Sequence, residues 1–414
     1  MLFYNEPRFR IFLVTLVVAV HVGLSVFAIG TANEGISFFD FAGQWRLTAY
    51  ALQGIDPYPL IGIDYAVIDS IGIIPKGWGT SPWGLLLGNI FYPGFMSMEN
   101  AISFFVGINI VLIIITSLSV FYKFKKTSIH LGIYAFLCAF FSFWFMQSFT
   151  MGNAGAGICC LLLLVIFYYD THPDLAGVLL GLSMIKPQTA LIVCFALFLM
   201  KKYRVVVISS VIVFLSLLIV SILIQNNPVN LIVEFLNAGI GSNESYSGIF
   251  TLMFINKPFM AMLLSMLVGV LLTVFFNYLL PPNLYKAFYF YPACLISTFW
   301  SYSFYNEFYI LLLPLMICIY SILYVRNGFL SLCSFFAALY LSAGSFIIFH
   351  VPFLTFTFLR FLSFPVYTTN NVTIDRWTVR SLFETGIIVI AFLQCYIFNR
   401  LKKEVVLLND EPVD

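Results

Sequence analysis

Long apolar runs separated by short polar connections dominate the chain. Runs of about 20 apolar residues are what a helix needs to cross a bilayer. The pattern predicts an all-α, polytopic transmembrane protein of about 12 helices, forming a single domain over residues 1–414. The predicted helices lie at about 11–29, 100–122, 129–149, 154–170, 174–185, 188–200, 205–224, 258–280, 286–304, 308–325, 328–350 and 381–399.

One pair of runs is too short to span. The segment 174–200 reads as two helices of about 12 residues that meet at Lys186 and Pro187. A helix break inside apolar sequence is tolerated only where protein or water satisfies the freed backbone groups. The segment is therefore predicted to be a short broken-helix pair.

Composition agrees with a membrane location. The chain is 61% hydrophobic and 9% charged, whereas soluble domains carry roughly 25% charged residues. No basic run exceeds three residues, which argues against nucleic-acid binding. The cysteines lie in apolar runs and form no ligand motif, so neither a metal nor another cofactor is expected.

The distribution of charges predicts an orientation. With the N-terminus in the cytoplasm, most basic residues fall inside, as the positive-inside rule requires. The first apolar run then serves as an uncleaved signal anchor, and both termini are cytoplasmic. The three long loops, at about 30–99, 225–257 and 351–380, fall outside together with most of the acidic residues, so chemistry is expected at the non-cytoplasmic face.

The first outer loop carries the first candidate residue. Its segment from Asp40 to Leu52 has the pattern of an amphipathic helix at the membrane surface, and 81–95 is read as a second interfacial helix. A carboxylate near apolar side chains can act as a general base. Asp40 is therefore either such a base or the N-cap of its helix.

Lys186 is the second candidate. A lysine within apolar sequence costs roughly 2.5–3.5 kcal/mol on membrane-insertion scales, and a bound phosphate would offset that cost. The alternative is a lysine that extends to the outer interface. Gln188 follows it and either binds the same ligand or pairs with backbone.

Other polar residues at predicted outer positions offer weaker signals. Asn153 lies in a glycine-rich turn between two helices, where it can pack or face a sugar. Glu307 lies among aromatic residues, an arrangement that suits a sugar or an interfacial belt. Arg376 and Arg380, in the last outer loop, either grip a phosphate or remain solvated.

Several motifs, in this order, resemble glycosyltransferase family 87, a group of polyprenyl-phosphate-dependent mannosyl- and related transferases with the C-type fold. The resemblance covers about residues 36–325. The residues that carry it are Asp40, Tyr50, Gly54-x-Asp56-Pro57-Tyr58, the run Pro82, Pro93 and Ala101, Gly152-Asn153, and Lys186-Pro187-Gln188. The segment 301–309 departs from the family pattern because it lacks a histidine, and Glu307 is the candidate substitute.

The resemblance implies an inverting, metal-independent transfer of mannose or a similar hexose or pentose. Asp40 would be the base, and the sugar would pass from polyprenyl phosphate to a lipid or glycan acceptor. It also implies a cell-envelope role in a membrane such as the bacterial inner membrane, with an active site on the periplasmic or extracellular side. The candidate substrate-binding residues are Lys186, Gln188, Asn153, Asp56, Tyr58, Arg46, Glu307, Arg376 and Arg380.

Two other functions compete with this one. A secondary transporter would use Lys186 and Glu307 as coupling charges and should show paired broken helices in both halves. A glycan polymerase or ligase would use a diphosphate-linked donor and rely on outer-loop arginines rather than Asp40.

Overall fold

The computed structural model describes residues 6–31, 39–61, 80–240, 309–325 and 328–344, with isolated positions between 264 and 290 and between 389 and 394. The described elements are all helical, which confirms the all-α, polytopic prediction. They are α1 Pro7–Thr31, α2 Phe39–Leu52, α3 Gly84–Leu87, α4 Met98–Phe124, α5 Ile129–Phe140, α6 Phe143–Thr150, α7 Gly155–Tyr168, α8 Pro173–Ser183, α9 Pro187–Leu199, α10 Tyr203–Ile224, α11 Pro228–Ile240, α12 Leu312–Tyr324 and α13 Gly328–Leu339, with short 3₁₀ or π turns at Tyr58–Leu60, Gly88–Ile90 and Tyr340–Gly344.

Four described segments are long and apolar enough to cross a membrane. They are Pro7–Val26, Met98–Phe124, Ile129–Thr150 and Tyr203–Ile224. The protein is therefore an integral membrane protein. Several other apolar helices are shorter than a span, and α7, α8, α9, α12 and α13 pack between or beside the long ones.

Helix α7 forms the centre of the bundle. It is apolar on every side and nearly all of its residues are buried, as expected for a helix enclosed by others. Gly157 permits the close approach of α4 and the 88–92 turn. A Cβ there would lie 2.5 Å from the Phe91 ring and 2.8 Å from Asn109 Oδ1, so this position requires glycine.

The bundle has two chemically different ends. At the basic end, Arg204 makes two hydrogen bonds to Asp174 and Lys202 pairs with Asp170. Lys123 lies over the Tyr168 ring at this same end. The opposite end holds the start of α2, α7 and α9, and we call it the site end.

The predicted helix 129–149 is divided in the structure. Helix α5 ends at Phe140 and α6 begins at Phe143. Side chains of α1 satisfy the carbonyls at the break, because His21 Nε2 lies 3.0 Å from Cys138 O and Ser25 Oγ donates to Phe141 O. A pattern of apolar residues does not reveal such a break, since its cause lies on another helix.

The broken pair at 174–200 agrees with the prediction, as α8 and α9. The outer loop predicted at 225–257 begins with helix α11, which the sequence pattern did not indicate. The interfacial helix expected at 81–95 is one α-turn, Gly84–Leu87, followed by the 3₁₀ turn Gly88–Ile90. The predicted helices 258–280, 286–304 and 381–399 lie largely, and the loop 351–380 wholly, outside the described residues.

Candidate functional site

Helix α2 carries Asp40 in its first turn. The Asp40 backbone N–H donates to Met151 O at 3.2 Å, which ties the start of α2 to the turn between α6 and α7. The next residue, Phe41, is fully buried and packs edge-on against the rings of Tyr92 and Phe105, at 5.3 and 5.4 Å between centroids. Burial of Phe41 therefore fixes the half-buried Asp40 at the site end.

The turn that receives Asp40 has a defined backbone. Gly152 has φ +71°, a left-handed conformation that suits glycine. Ser148 braces the turn, because its carbonyl accepts the Asn153 N–H at 2.9 Å and its hydroxyl donates to Asn153 O at 2.8 Å. The Tyr92 hydroxyl accepts the N–H of Ala154 at 2.6 Å. These contacts restrict the direction of the Asn153 side chain.

The Asn153 amide joins the two residues that the sequence singled out most strongly. Asn153 Nδ2 donates to Asp40 Oδ2 at 2.9 Å. Its Oδ1 accepts from Lys186 Nζ at 2.9 Å, and also from the Gly155 N–H at 2.8 Å. The carboxylate and the ammonium group thus belong to one polar cluster, with a neutral amide between them.

The turn before Lys186 is held by Trp83 and Ser81, from the later part of the first outer loop. The Trp83 indole N–H donates to Met184 O at 2.7 Å, and Ser81 Oγ donates to Ile185 O at 3.4 Å. Lys186 is the N-cap residue of α9. Its ammonium group therefore lies beside the positive end of the α9 dipole, a combination that suits an anion.

Two more predicted residues lie on the same helices. Gln188 is in the first turn of α9 and is half-buried, two residues after Lys186. Arg46 is half-buried on α2, six residues after Asp40. Their roles in binding stay predictions.

Asp56 and Tyr58 belong to a different cluster, at the far end of α2. The rise of α2 between Asp40 and Leu52 separates the clusters by roughly 18 Å. Asp56 Oδ1 accepts the Tyr58 N–H at 3.0 Å, which makes a side-chain-capped turn. The buried Tyr58 hydroxyl donates to Thr80 O at 2.6 Å.

Asn226, in the connection between α10 and α11, and Glu234 of α11 complete this second cluster. Asn226 donates to Asp56 Oδ2 at 2.8 Å and to Glu234 Oε2 at 3.3 Å. Partial burial, and then the hydrogen bond and negative charge of Asp56, raise the pKa of Glu234. Burial, and then the charges of Asp56 and Glu234, raise the pKa of Tyr58.

Sequence reasoning missed the residues that hold the site together. Trp83, Ser81, Tyr92 and Ser148 act on backbone groups of distant turns, and no local pattern marks such contacts. A tryptophan and a serine next to Pro82, in a loop otherwise read as interfacial, were the available signal. The predicted residues Glu307, Arg376 and Arg380 lie outside the described residues.

Comparison with known proteins gives one match. The family model described as "Glycosyltransferase family 87" matches residues 82–299, more than half of the 414 residues. This range includes Asn153 and Lys186, whereas Asp40 precedes it. No curated protein and no solved structure matches the chain. The chain belongs to glycosyltransferase family 87 and is therefore a membrane glycosyltransferase.

Proposed function

We propose that this glycosyltransferase moves a sugar from a polyprenyl-phosphate donor to a lipid or glycan acceptor at the non-cytoplasmic face of the membrane. The observation that carries the proposal is the Asn153 amide, hydrogen-bonded to Asp40 and to Lys186 at 2.9 Å each. A base and a phosphate-binding cation are the two groups that this reaction needs close together.

The chemistry is a single displacement that inverts the anomeric carbon. Asp40 takes the proton of the acceptor hydroxyl as the hydroxyl oxygen forms its bond to that carbon. The bond between the carbon and the phosphate oxygen breaks, and polyprenyl phosphate leaves with the electron pair. The proton ends on Asp40 and the new negative charge on the phosphate.

Lys186 would stabilise that leaving phosphate. Its ammonium group lies at the N-terminal end of α9, so a fixed charge and a helix dipole act on the same oxygens. Stabilisation of charge that develops in the transition state lowers the barrier more than it strengthens ground-state binding. The proposal requires no metal ion, because these groups supply the positive charge.

Asn153 would serve as a positioning residue. Its N–H donor orients the Asp40 side chain and its Oδ1 accepts from the Lys186 ammonium group. The amide thus orients both groups within one cluster.

The proposed orientation rests on the two ends of the bundle. Lys123, Lys202 and Arg204 lie at the end opposite Asp40 and Lys186. Basic residues at helix ends favour the cytoplasm, so the site end would face outward and both chain termini would be cytoplasmic.

The test compares purified wild type with Asp40→Asn, an isosteric change, using polyprenyl-phosphate mannose and a lipid acceptor. Since general-base catalysis contributes about 10²–10⁴-fold, we expect kcat to fall by that factor. Asp174→Asn is the matched control, because this exposed carboxylate lies at the basic end. Equal transfer by wild type and Asp40→Asn would eliminate the proposed base.

The donor class is tested in the same assay. Lipid-phosphate hexoses and pentoses, and one sugar on polyprenyl diphosphate, are offered to wild-type protein. We expect transfer from a monophosphate donor only. Transfer from the diphosphate donor alone would favour the polymerase or ligase reaction.

A further inference from the structure

Helix α11 leaves an apolar stripe uncovered. Val229, Val233 and Leu236 are 65%, 48% and 39% exposed and recur at spacings of four and three residues, so they share one face of the helix. A single exposed apolar residue needs no explanation, whereas three on one helix face indicate something that covers them.

The other faces of α11 have different surroundings. Leu231 is fully buried and Phe235 packs on the Tyr58 ring at 6.2 Å between centroids, so one face lies against the protein. Asn230 and Asn237 are exposed and seven residues apart, so they form a third, polar face. Helix α11 thus has three sides: one that faces the protein, one that is apolar and exposed, and one that is polar and exposed.

We infer that α11 lies in the membrane–water interface, with Val229, Val233 and Leu236 inserted among the lipid chains of the leaflet at the site end. An interfacial helix has its apolar face in lipid and its polar face in water. A bilayer surface provides these apolar and aqueous surroundings on adjacent faces of one exposed helix.

The position of α11 in the chain supports lipid as the occupant. Helix α10 spans the membrane, and only residues 225–227 connect it to α11. Exposed apolar side chains continue along α10 up to this connection, including Ile219 and Ile222. The apolar stripe is therefore a continuation of the lipid-facing surface of a membrane span.

The inference has a structural consequence for α2. The turn after α2 is joined to α11 through Asn226, which donates to Asp56 and to Glu234 of α11, and a Cβ on Gly54 would lie 3.0 Å from Leu223 O of α10. Helix α11 therefore sets the depth at which the far end of α2 meets the membrane. Nothing in this inference depends on the reaction that the enzyme catalyses.

The experiment measures the surroundings of nitroxide labels on the full chain in lipid nanodiscs. Labels are attached to V229C and V233C on the apolar stripe, and to N230C and N237C as matched positions on the same helix. Collisions with oxygen report lipid, and collisions with a water-soluble nickel chelate report water. The unsubstituted chain corrects for native cysteines, since those described are buried or half-buried.

We expect oxygen to dominate relaxation at positions 229 and 233, and the nickel chelate to dominate at 230 and 237. Equal access of the chelate to all four positions would overturn the inference, because the stripe would face water. Low access of both reagents at 229 and 233, with dipolar broadening between labels, would overturn it in favour of a second copy of the chain. Activity is not measured, so either result leaves the proposed reaction untouched.

Discussion

At the scale of single residues, Asn153 has the most specific set of contacts in the candidate site. It donates to a carboxylate through its N–H group and accepts from an ammonium group through its oxygen, as a neutral amide can. An aspartate has the same shape but lacks the donor and adds a charge. The two properties of Asn153, its volume and its polarity, can therefore be separated experimentally.

Asn153→Asp should alter catalysis without changing the volume of the site. The new carboxylate would pair with Lys186 and repel Asp40. We expect the KM for the lipid-phosphate donor to rise, and the acid limb of the kcat–pH profile to move to higher pH, because a nearby like charge disfavours the ionised form of a carboxyl group. Steady-state kinetics between about pH 5 and pH 9 would measure both effects.

Asn227→Asp is the control for this variant. It adds the same charge at an exposed position on the site-end side of α10, and it retains an acceptor for the Val229 N–H. The control should keep the wild-type profile. A uniform fall in activity for Asn153→Asp, with an unchanged KM and pH profile, would show that Asn153 has only a structural role.

The sequence predicted Asp40 and Lys186 as candidates because polar residues at apolar boundaries are visible in a one-dimensional pattern. It also predicted that they would lie on the same side of the membrane. It did not predict the bridge through Asn153, which depends on where the 148–155 turn meets α2. The family resemblance placed Asp56 among the substrate-binding candidates, whereas α2 separates its cluster from that of Asp40 in space.

At the scale of elements, helix breaks and short helices depend on partners elsewhere in the chain. The break between α5 and α6 is stabilised by His21 and Ser25 of α1, and the turn before α9 by Trp83 and Ser81. In an apolar environment an unsatisfied carbonyl costs several kcal/mol, so breaks occur where donors reach them. The lysine and proline at 186–187 marked one break, and no residue near 141 marked the other.

The docking of α11 against the turn at Asp56–Tyr58 should weaken as the pH rises. The pKa of Glu234 is raised in the folded protein, mainly by partial burial and then by Asp56, so its proton stabilises the folded contact. This contribution is complete below the unfolded pKa and is lost as the pH rises through the folded pKa. Tyr58 also faces the pair but is neutral in this range.

Hydrogen exchange of the α11 amides in wild type and Glu234→Gln, compared at each pH, would test this point. Glutamine resembles the protonated acid, so the two proteins should exchange alike at about pH 4, and wild type should exchange several-fold faster at about pH 8. Glu99→Gln, an exposed change at the start of α4, should retain the wild-type response. If the ratio of the wild-type exchange rate to the Glu234→Gln exchange rate does not vary with pH, Glu234 is excluded as the titrating group.

At the scale of the whole molecule, the bundle has its basic residues at one end and the candidate site at the other. Helices α1 and α5 run in the same direction, because Thr15 contacts Tyr134 near their starts and Ser25 contacts Phe141 near the break. Arg10 donates to Val325 O, so the end of α12 lies at the start of α1. The helix ends that the sequence predicts on one side of the membrane are therefore the ones that lie together in the structure.

This arrangement predicts the side on which each end can be labelled. Asn237→Cys and Lys126→Cys place single exposed thiols at the site end and at the basic end. A maleimide that cannot cross membranes should label position 237 in intact cells and position 126 only after permeabilisation, because the basic end favours the cytoplasm. The unsubstituted chain gives the background from native cysteines. The reverse labelling pattern would place Asp40 and Lys186 in the cytosol, where the proposed outer-face transfer could not occur.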